Sequence, residues 1–493
     1  MSMIQVEDLS FTYEDSGKSV FEHVNFMIDT DWKLGFVGRN GRGKTTFLSL
    51  LMGKMEYTGK IHSNVRFDYF PFEVSDESKM TLDILFEIEP TIEEWMIFRE
   101  LNLLEVDAEV LYRPFFTLSQ GEKTKVLLAV LFLRPEHFLL IDEPTNHLDA
   151  QARLTLMKYL RKKKGFILVC HDRMVLDGCI DHVLAINRMN IEVQAGNYSS
   201  WLETFSKRQI REAQENERLK KDIQRLKESS QRTAMWSDKV EASKIGAADK
   251  GYVGHKAAKM MKRSKSIENR QKAALDQKRE LLKNTEEAQT LKLEPLVHPS
   301  RVLVSYQNVS VCYEKKPICA PVSFSIEKKD RMFLEGKNGS GKSSLIKLLF
   351  DDSISYTGWK EAASGLVISY VSQDTSSLKG NLSEYAKMYG IDESLYKSLL
   401  RKMGFEREQF LIDMENFSDG QKKKAMLARS LCEKAHLYIW DEPLNFIDIY
   451  TRKQIEDLIL QYEPTMLLVE HDASFRDRIM TKSVTVQQMV RCK

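Results

Sequence analysis

The chain has 493 residues, 42% hydrophobic and 29% charged, and its 73 Lys and Arg against 71 Asp and Glu leave a formal charge of +2. That length supports two or three domains with substantial cores, while the longest apolar run, Val126 to Leu133, falls far short of the ~20 residues of a membrane helix. The N-terminus lacks the basic and apolar regions of a signal peptide, and Cys170, Cys179, Cys312, Cys319, Cys432 and Cys492 show neither metal spacing nor a disulfide framework, so membrane and disulfide-scaffold classes are excluded and a reducing cytoplasm is expected.

The first informative element is the apolar stretch Leu34 to Val37, followed by Gly38-Arg39-Asn40-Gly41-Arg42-Gly43-Lys44-Thr45-Thr46 and a helical pattern from Phe47 to Met52. A strand, a G-x-x-x-x-G-K-[ST] loop and a helix together make an anion cradle, because successive backbone N–H groups and the helix N-terminus point at one place. One such loop could be a Gly-rich turn. Further on stand Tyr69-Phe70-Pro71-Phe72, then Leu118-Ser119-Gln120-Gly121-Glu122, then the strand Phe138 to Ile141 ending in Asp142-Glu143. Leu148-Asp149 and the strand Phe166 to Val169, with His171 at its end, complete the set.

From about Trp201 to Glu294 there is no proline, and Glu, Lys, Arg, Gln, Ala and Leu dominate, which favours helix. Leu219, Ile223 and Leu226 give one apolar face and Ile267, Leu275, Leu281 and Leu282 another, while glycines at 246, 251 and 254 break the pattern between them. The spacing predicts an antiparallel helical hairpin with its tip near 240–262, each arm of about 35 residues reaching on the order of 50 Å. Between Ser206 and Lys292 there are 23 Lys and Arg against 13 Asp and Glu, so the linker carries +10 and the rest of the chain −8. Lys256, Lys259, Lys262, Arg263 and Lys265, interleaved with Met260 and Met261, could be a solvated helix face. A dense basic cluster with soft apolar groups at a protruding end suits RNA better.

The first set then recurs in order roughly 300 positions later. Met332 to Leu334 leads into Gly336-Lys337-Asn338-Gly339-Ser340-Gly341-Lys342-Ser343-Ser344, and Tyr370-Val371-Ser372-Gln373 and Phe417-Ser418-Asp419-Gly420-Gln421 follow. The strand Leu437 to Trp440 ends in Asp441-Glu442, with Ile447-Asp448 and His471 beyond. In each copy the Ser lies 23 residues before the Asp of the acidic pair. Two complete sets make chance negligible.

Over about four fifths of the chain these residues resemble the ATP-binding cassette ATPases. The resemblance implies an α/β fold: two tandem P-loop NTPase cassettes joined by a long α-helical hairpin linker, with boundaries at 1–200, 201–298 and 299–493. It implies ATP and Mg2+ as ligands, held by Gly38, Asn40, Gly41, Gly43, Lys44, Thr45 and Thr46 in one copy and Gly336, Asn338, Gly339, Gly341, Lys342, Ser343 and Ser344 in the other. Transfer of a phosphoryl group to water is mostly positioning and charge stabilisation. Asp142 and Asp441 would therefore hold Mg2+ with Thr45, Ser343 and Gln373, Glu143 and Glu442 would polarise water, and His171 and His471 would contact the γ-phosphate. Tyr13 and Tyr313 stand where the family stacks adenine, although each could equally be a half-buried strand aromatic. In the family each signature serves the opposite cassette, so Lys44 and Glu143 would work with Ser418 and Gly420, and Lys342 and Glu442 with Ser119 and Gly121, in a monomer that is an internal cassette dimer. Phe72 departs from the pattern, because a phenylalanine cannot ligate a metal where Gln373 can, and the two sites are expected to be unequal.

Two fused cassettes around a basic hairpin, without membrane spans, are similar to the ABC-F family of ribosome-associated ATPases. The segments Arg232 to Lys239 and Gly251 to Arg263 resemble its Lsa-like antibiotic-resistance branch. That likeness implies entry into the ribosomal tRNA exit site, contact with large-subunit ribosomal RNA and P-site tRNA, displacement of lincosamides, pleuromutilins and group A streptogramins, and release driven by hydrolysis. Tyr252, His255, Lys256, Lys259, Met260, Lys262 and Arg263 are the candidate tip contacts. The spans Phe72 to Leu118 and Gln373 to Phe417 are of similar length, which leaves no room for the arm that many translation-factor relatives insert there, and only some twenty residues follow His471. A housekeeping translation factor acting on P-site tRNA is the alternative, and a transporter's ATPase subunit is a weaker one.

Overall fold

The computed structural model describes residues 2–13, 19–146, 148–187, 190–242, 292–313, 316–351 and 353–489. It separates two compact units, residues 1–199 with 289–493, and residues 200–288.

In the first unit the two copies build the same pair of layers. The first copy has an antiparallel sheet in the order Ser19–Asp29, Met3–Thr12, Thr58–His62 and a six-stranded sheet in the order Arg66–Phe70, His137–Asp142, Phe166–Val169, Lys33–Val37, His182–Asn187, Asn190–Ala195. All neighbours in the larger sheet are parallel except the last pair. The second copy repeats this with a parallel sheet Ile368–Val371, Leu437–Asp441, Met466–Val469, Arg331–Glu335, Lys482–Thr485. Phe166–Val169 and Met466–Val469 are buried at every position, as strands covered on both faces must be, which is why they read as unbroken apolar runs.

Parallel register places the functional residues together. Asp142 pairs with Val169 and Asp441 with Val469, so the acidic pairs and the histidines that follow emerge at the same carboxyl edge, where open α/β sheets bind ligands. The phosphate loop emerges there too, from Lys33–Val37, and its helix Lys44–Leu51 is anchored by Phe47. That ring is fully buried and meets Phe21, Phe26 and Phe36 with centroids 5.9, 5.8 and 5.5 Å away, a contact whose loss costs about 3–5 kcal/mol.

Between the phosphate loop and the signature each copy carries a small helical layer. Thr81–Ile88 and Glu94–Leu103 with two 3-10 turns in the first copy match Leu382–Met388 and Glu393–Lys402 with two 3-10 turns in the second. The equal spans expected from the sequence therefore hold equivalent elements.

The linker begins as one helix, Tyr198–Ala242, 45 residues long, or roughly 68 Å at 1.5 Å per residue. Within it Glu203 pairs with Lys207 at 2.5 Å and Glu217 with Lys221 at 2.7 Å, each Glu four residues before its Lys, the favourable order on a helix. The second arm and the tip candidates Tyr252, His255, Lys256, Lys259, Met260, Lys262 and Arg263 lie outside the described residues.

Candidate active sites

Each phosphate loop is wound around its own lysine. Gly43 begins the helix Lys44–Leu51 in a left-handed conformation (φ 89°), and a Cβ there would lie 2.5 Å from Val20 Cγ1, so only glycine suits the position. Lys44 folds back to donate to the carbonyls of Gly38 and Arg39 at 2.8 and 3.4 Å and to Asn40 Oδ1 at 3.3 Å. Lys342 does the same to Gly336 and Lys337 at 2.7 and 3.0 Å. Burial lowers the pKa of both amines, and the carboxylates around them oppose the shift: Asp448, Glu143 and Asp142 for Lys44, Glu442 and Asp441 for Lys342.

The aspartates that end the two equivalent strands differ in their partners. Asp142 Oδ2 accepts from Thr45 Oγ1 at 3.1 Å and from the Tyr69 hydroxyl at 3.0 Å. Burial and then the Glu143 charge push its pKa up against those two bonds. Asp441 is 1% exposed and neither of its oxygens has a hydrogen-bond partner among the described residues. Burial raises its pKa. A buried carboxylate without a partner needs explanation, and its surroundings fit Mg2+, which Asp441 would hold with Ser343 and Gln373 through oxygens of the kind that ion takes.

Beside each Asp stands the second acid, held in a strained left-handed backbone (Glu143 φ 54°, Glu442 φ 48°). Strain of this kind persists only where the surroundings impose it, and here the N–H groups of Glu143 and Glu442 are bound to the carbonyls of Val169 and Val469 at 2.9 Å. Glu143 Oε1 is 2.9 Å from His171 Nε2. Glu442 instead accepts from Gln373 at 2.9 Å and Asn445 at 2.7 Å, with His471 at 3.6 Å. Burial raises both pKa values, but His171, Lys44 and Arg452 outweigh it at Glu143, and His471, Lys423 and Lys342 outweigh it at Glu442. Both acids are thus ionised at neutral pH, suited to orienting water for a loose phosphoryl-transfer transition state.

The copies face each other. Asn40 Nδ2 donates to the Phe446 carbonyl at 2.8 Å, and a Cβ on Gly420 would lie 2.7 Å from that oxygen and 3.2 Å from Asn40 Nδ2. The Arg39 guanidinium sits 5.7 Å above the Tyr450 ring. On the other side a cavity of about 420 Å³ is lined by Asn338 to Ser344, Gln373, Glu442 and His471 together with Leu148 and Arg153 of the first copy. Ser119 and Gly121 are not in that lining; a Cβ on Gly121 would sit 3.2 Å from Leu148, which is. Tyr13 and Tyr313 are 38% and 44% exposed and lie beside the loops, with hydroxyls 2.6 Å from Thr46 Oγ1 and 3.4 Å from Ser344 Oγ.

The capping role of Ser119 and Ser418 and the part played by two buried arginines escaped the sequence reading. Ser119 and Ser418 each cap their helix in a reciprocal box with Glu122 and Gln421, a pattern written in the S-x-x-E/Q spacing. Arg153 bridges the Leu148 carbonyl and Asp172 at 3.0 and 3.1 Å, and Arg452 bridges the Ile447 carbonyl and Asp472 at 2.9 and 2.8 Å. Each arginine stands four residues after Asp149 or Asp448, so the repeat itself carried the signal.

The family model described as "ABC transporter" matches residues 21–146 and 319–445. The chain is 25% identical over 495 residues to "Ribosome protection protein VmlR" of Bacillus subtilis (strain 168), covering 96% of this chain and 85% of that protein. It is 26% identical over 535 residues to "Putative ATP-binding protein YdiF" of the same organism, covering 98% and 79%. Among solved structures, the archaeal ribosome recycling factor aABCE1, in complex with the ribosomal stalk protein aP1, superposes with a TM-score of 0.63 at 20% identity over 97% of this chain and 87% of that one, which shows the fold of two tandem cassettes.

Proposed function

Because the chain belongs to the ATP-binding cassette family and is an ATPase, we propose that it is an ABC-F protein whose paired cassettes close on ATP to set its residence on the ribosome. The observation that carries this reading is the concentration of +10 charge between Ser206 and Lys292, in a chain whose described residues include no helix long and apolar enough to cross a membrane. A phosphate-rich partner explains such a linker, and the likeness to a ribosome protection protein over nearly the whole chain supports the ribosome as that partner.

Within each site, Lys44 or Lys342 binds the outer phosphates, Thr45 with Asp142 or Ser343 with Asp441 and Gln373 holds Mg2+, and Glu143 or Glu442 orients water beside His171 or His471. The cation, when bound, neutralises charge building on the phosphate oxygens. Closure brings Ser418 and Gly420, or Ser119 and Gly121, to the γ-phosphate, and hydrolysis removes the group that holds the cassettes together. While the ATP-bound cassettes are closed, the linker tip occupies the tRNA exit site and displaces lincosamide, pleuromutilin or streptogramin A drugs, and hydrolysis releases the protein.

A Glu143→Gln/Glu442→Gln variant should close on ATP and stay bound. Sedimentation with bacterial ribosomes is expected to show ATP-dependent association, and its absence would remove the reading. Expression in a sensitive bacterium should raise the inhibitory concentrations of a lincosamide and a pleuromutilin; unchanged values would point to a housekeeping factor.

A further inference from the structure

We propose that Tyr69 is a positioning residue of the first ATP site, fixing the Asp142 carboxylate for the cation where the second site relies on Gln373. The inference rests on the reading of both sites as Mg2+–ATP sites. Tyr69 lies on the strand Arg66–Phe70, in register with Leu140, which brings its ring to the carboxyl edge beside the acidic pair. Its hydroxyl donates to Asp142 Oδ2 at 3.0 Å, and Thr45 Oγ1 donates to the same oxygen at 3.1 Å. Two donors on Oδ2 lock the carboxylate and leave Oδ1 as the oxygen presented to a cation or its water shell.

The second copy has a tyrosine at the same strand position and uses it differently. Tyr370 is in register with Ile439 and its ring packs on Phe350 with centroids 4.9 Å apart, and Asp441 has no hydrogen-bond partner among the described residues. There Gln373 reaches the site, donating to Glu442 at 2.9 Å, whereas the first copy has Phe72, 37% exposed, at the corresponding place. A metal carboxylate held by an outer partner typically loses 10–100-fold in metal affinity when that partner is removed. In the first site Tyr69 is such a partner, and it compensates for an amide that the sequence does not provide.

The test uses the full chain carrying Lys342→Ala, which leaves the first site to bind nucleotide, with Mn2+ titrated by electron paramagnetic resonance in the presence of a non-hydrolysable ATP analogue. Tyr69→Phe should weaken Mn2+ binding about tenfold, and adding Phe72→Gln should restore most of it by supplying the absent amide. Tyr370→Phe, measured in a Lys44→Ala chain, should leave Mn2+ affinity at the second site unchanged. Unchanged affinity in Tyr69→Phe, or a loss that Phe72→Gln does not recover, would overturn the assignment, the latter by showing that Tyr69 acts on the fold and not on the carboxylate. Failure of the parent Lys342→Ala chain to bind Mn2+ with the analogue would overturn the ATP-site reading itself.

Discussion

Asn40 and Phe446 are 406 positions apart, yet the Asn40 side-chain amide donates to the Phe446 carbonyl at 2.8 Å. This bond ties the first phosphate loop to the second copy, next to Gly420. Gly420→Ala would push a methyl group to 2.7 Å from the same carbonyl, an overpacking worth about 2 kcal/mol. Its ATPase rate should fall roughly thirtyfold with nucleotide binding retained. Gly121→Ala, which meets only the Leu148 side chain at 3.2 Å, should cost far less; equal losses would mean that the close approach at Gly420 is irrelevant to closure.

The acids at the two sites are held by different partners, His171 at Glu143 and the amides of Gln373 and Asn445 at Glu442. The second is the better-organised site for chemistry. Single-turnover hydrolysis should survive better in Glu143→Gln than in Glu442→Gln, by about tenfold, the scale on which one positioned base acts being 10²–10⁴. Equal residual rates would mean equivalent sites.

A buried ion pair also joins the copies away from the nucleotide. Arg173 Nη1 is 3.0 Å from Glu456, which Arg478 also reaches at 2.9 Å, and the Glu456 side chain is 1% exposed. The repeat offers no counterpart, since Ala473, Met157 and Gly178 occupy the matching places. Arg173→Met should destabilise the protein by about 2 kcal/mol, because it removes one of the two guanidinium groups that hold the buried Glu456 carboxylate and leaves only Arg478. Urea unfolding should show Arg173→Met/Glu456→Met recovering part of the loss.

Asp448 accepts from Lys424 at 2.7 Å and caps the helix Ile449–Tyr462 through Thr451 N at 3.0 Å. Burial raises its pKa, but Lys424 and the Thr451 N–H outweigh burial and hold the carboxyl far below the ordinary range. Folding therefore gains from its ionisation fully above the unfolded value of about 4, and the gain disappears as pH falls through the depressed folded value. Asp448→Asn should cost about 3–5 kcal/mol at pH 7. The difference from the parent in urea unfolding should be flat from about pH 8 to 5 and shrink below about pH 4; a difference growing with acid would contradict the assignment.

Much was legible before any coordinates. The glycine loops, the signatures, the acidic pairs and the histidines are short-range patterns in which spacing alone dictates a strand, a turn or a cap, and a full repeat of them specifies two cassettes. The linker helix was legible for the same reason, since composition over 45 residues sums many weak propensities. The arginines Arg153 and Arg452 were missed because each works through a carbonyl and an Asp about 20 residues onward, a relation no local pattern displays.

The sequence by itself determined the fold, the order of the motifs and the contrast between Phe72 and Gln373. Only the tertiary structure decided which oxygen of Asp142 Tyr69 would hold, that Tyr370 would not do the same for Asp441, and that Asn40 would meet Phe446. Those outcomes depend on strand register and on the packing of two distant copies, where one ring against another, Phe350 on Tyr370, settles a direction that residue identity leaves open.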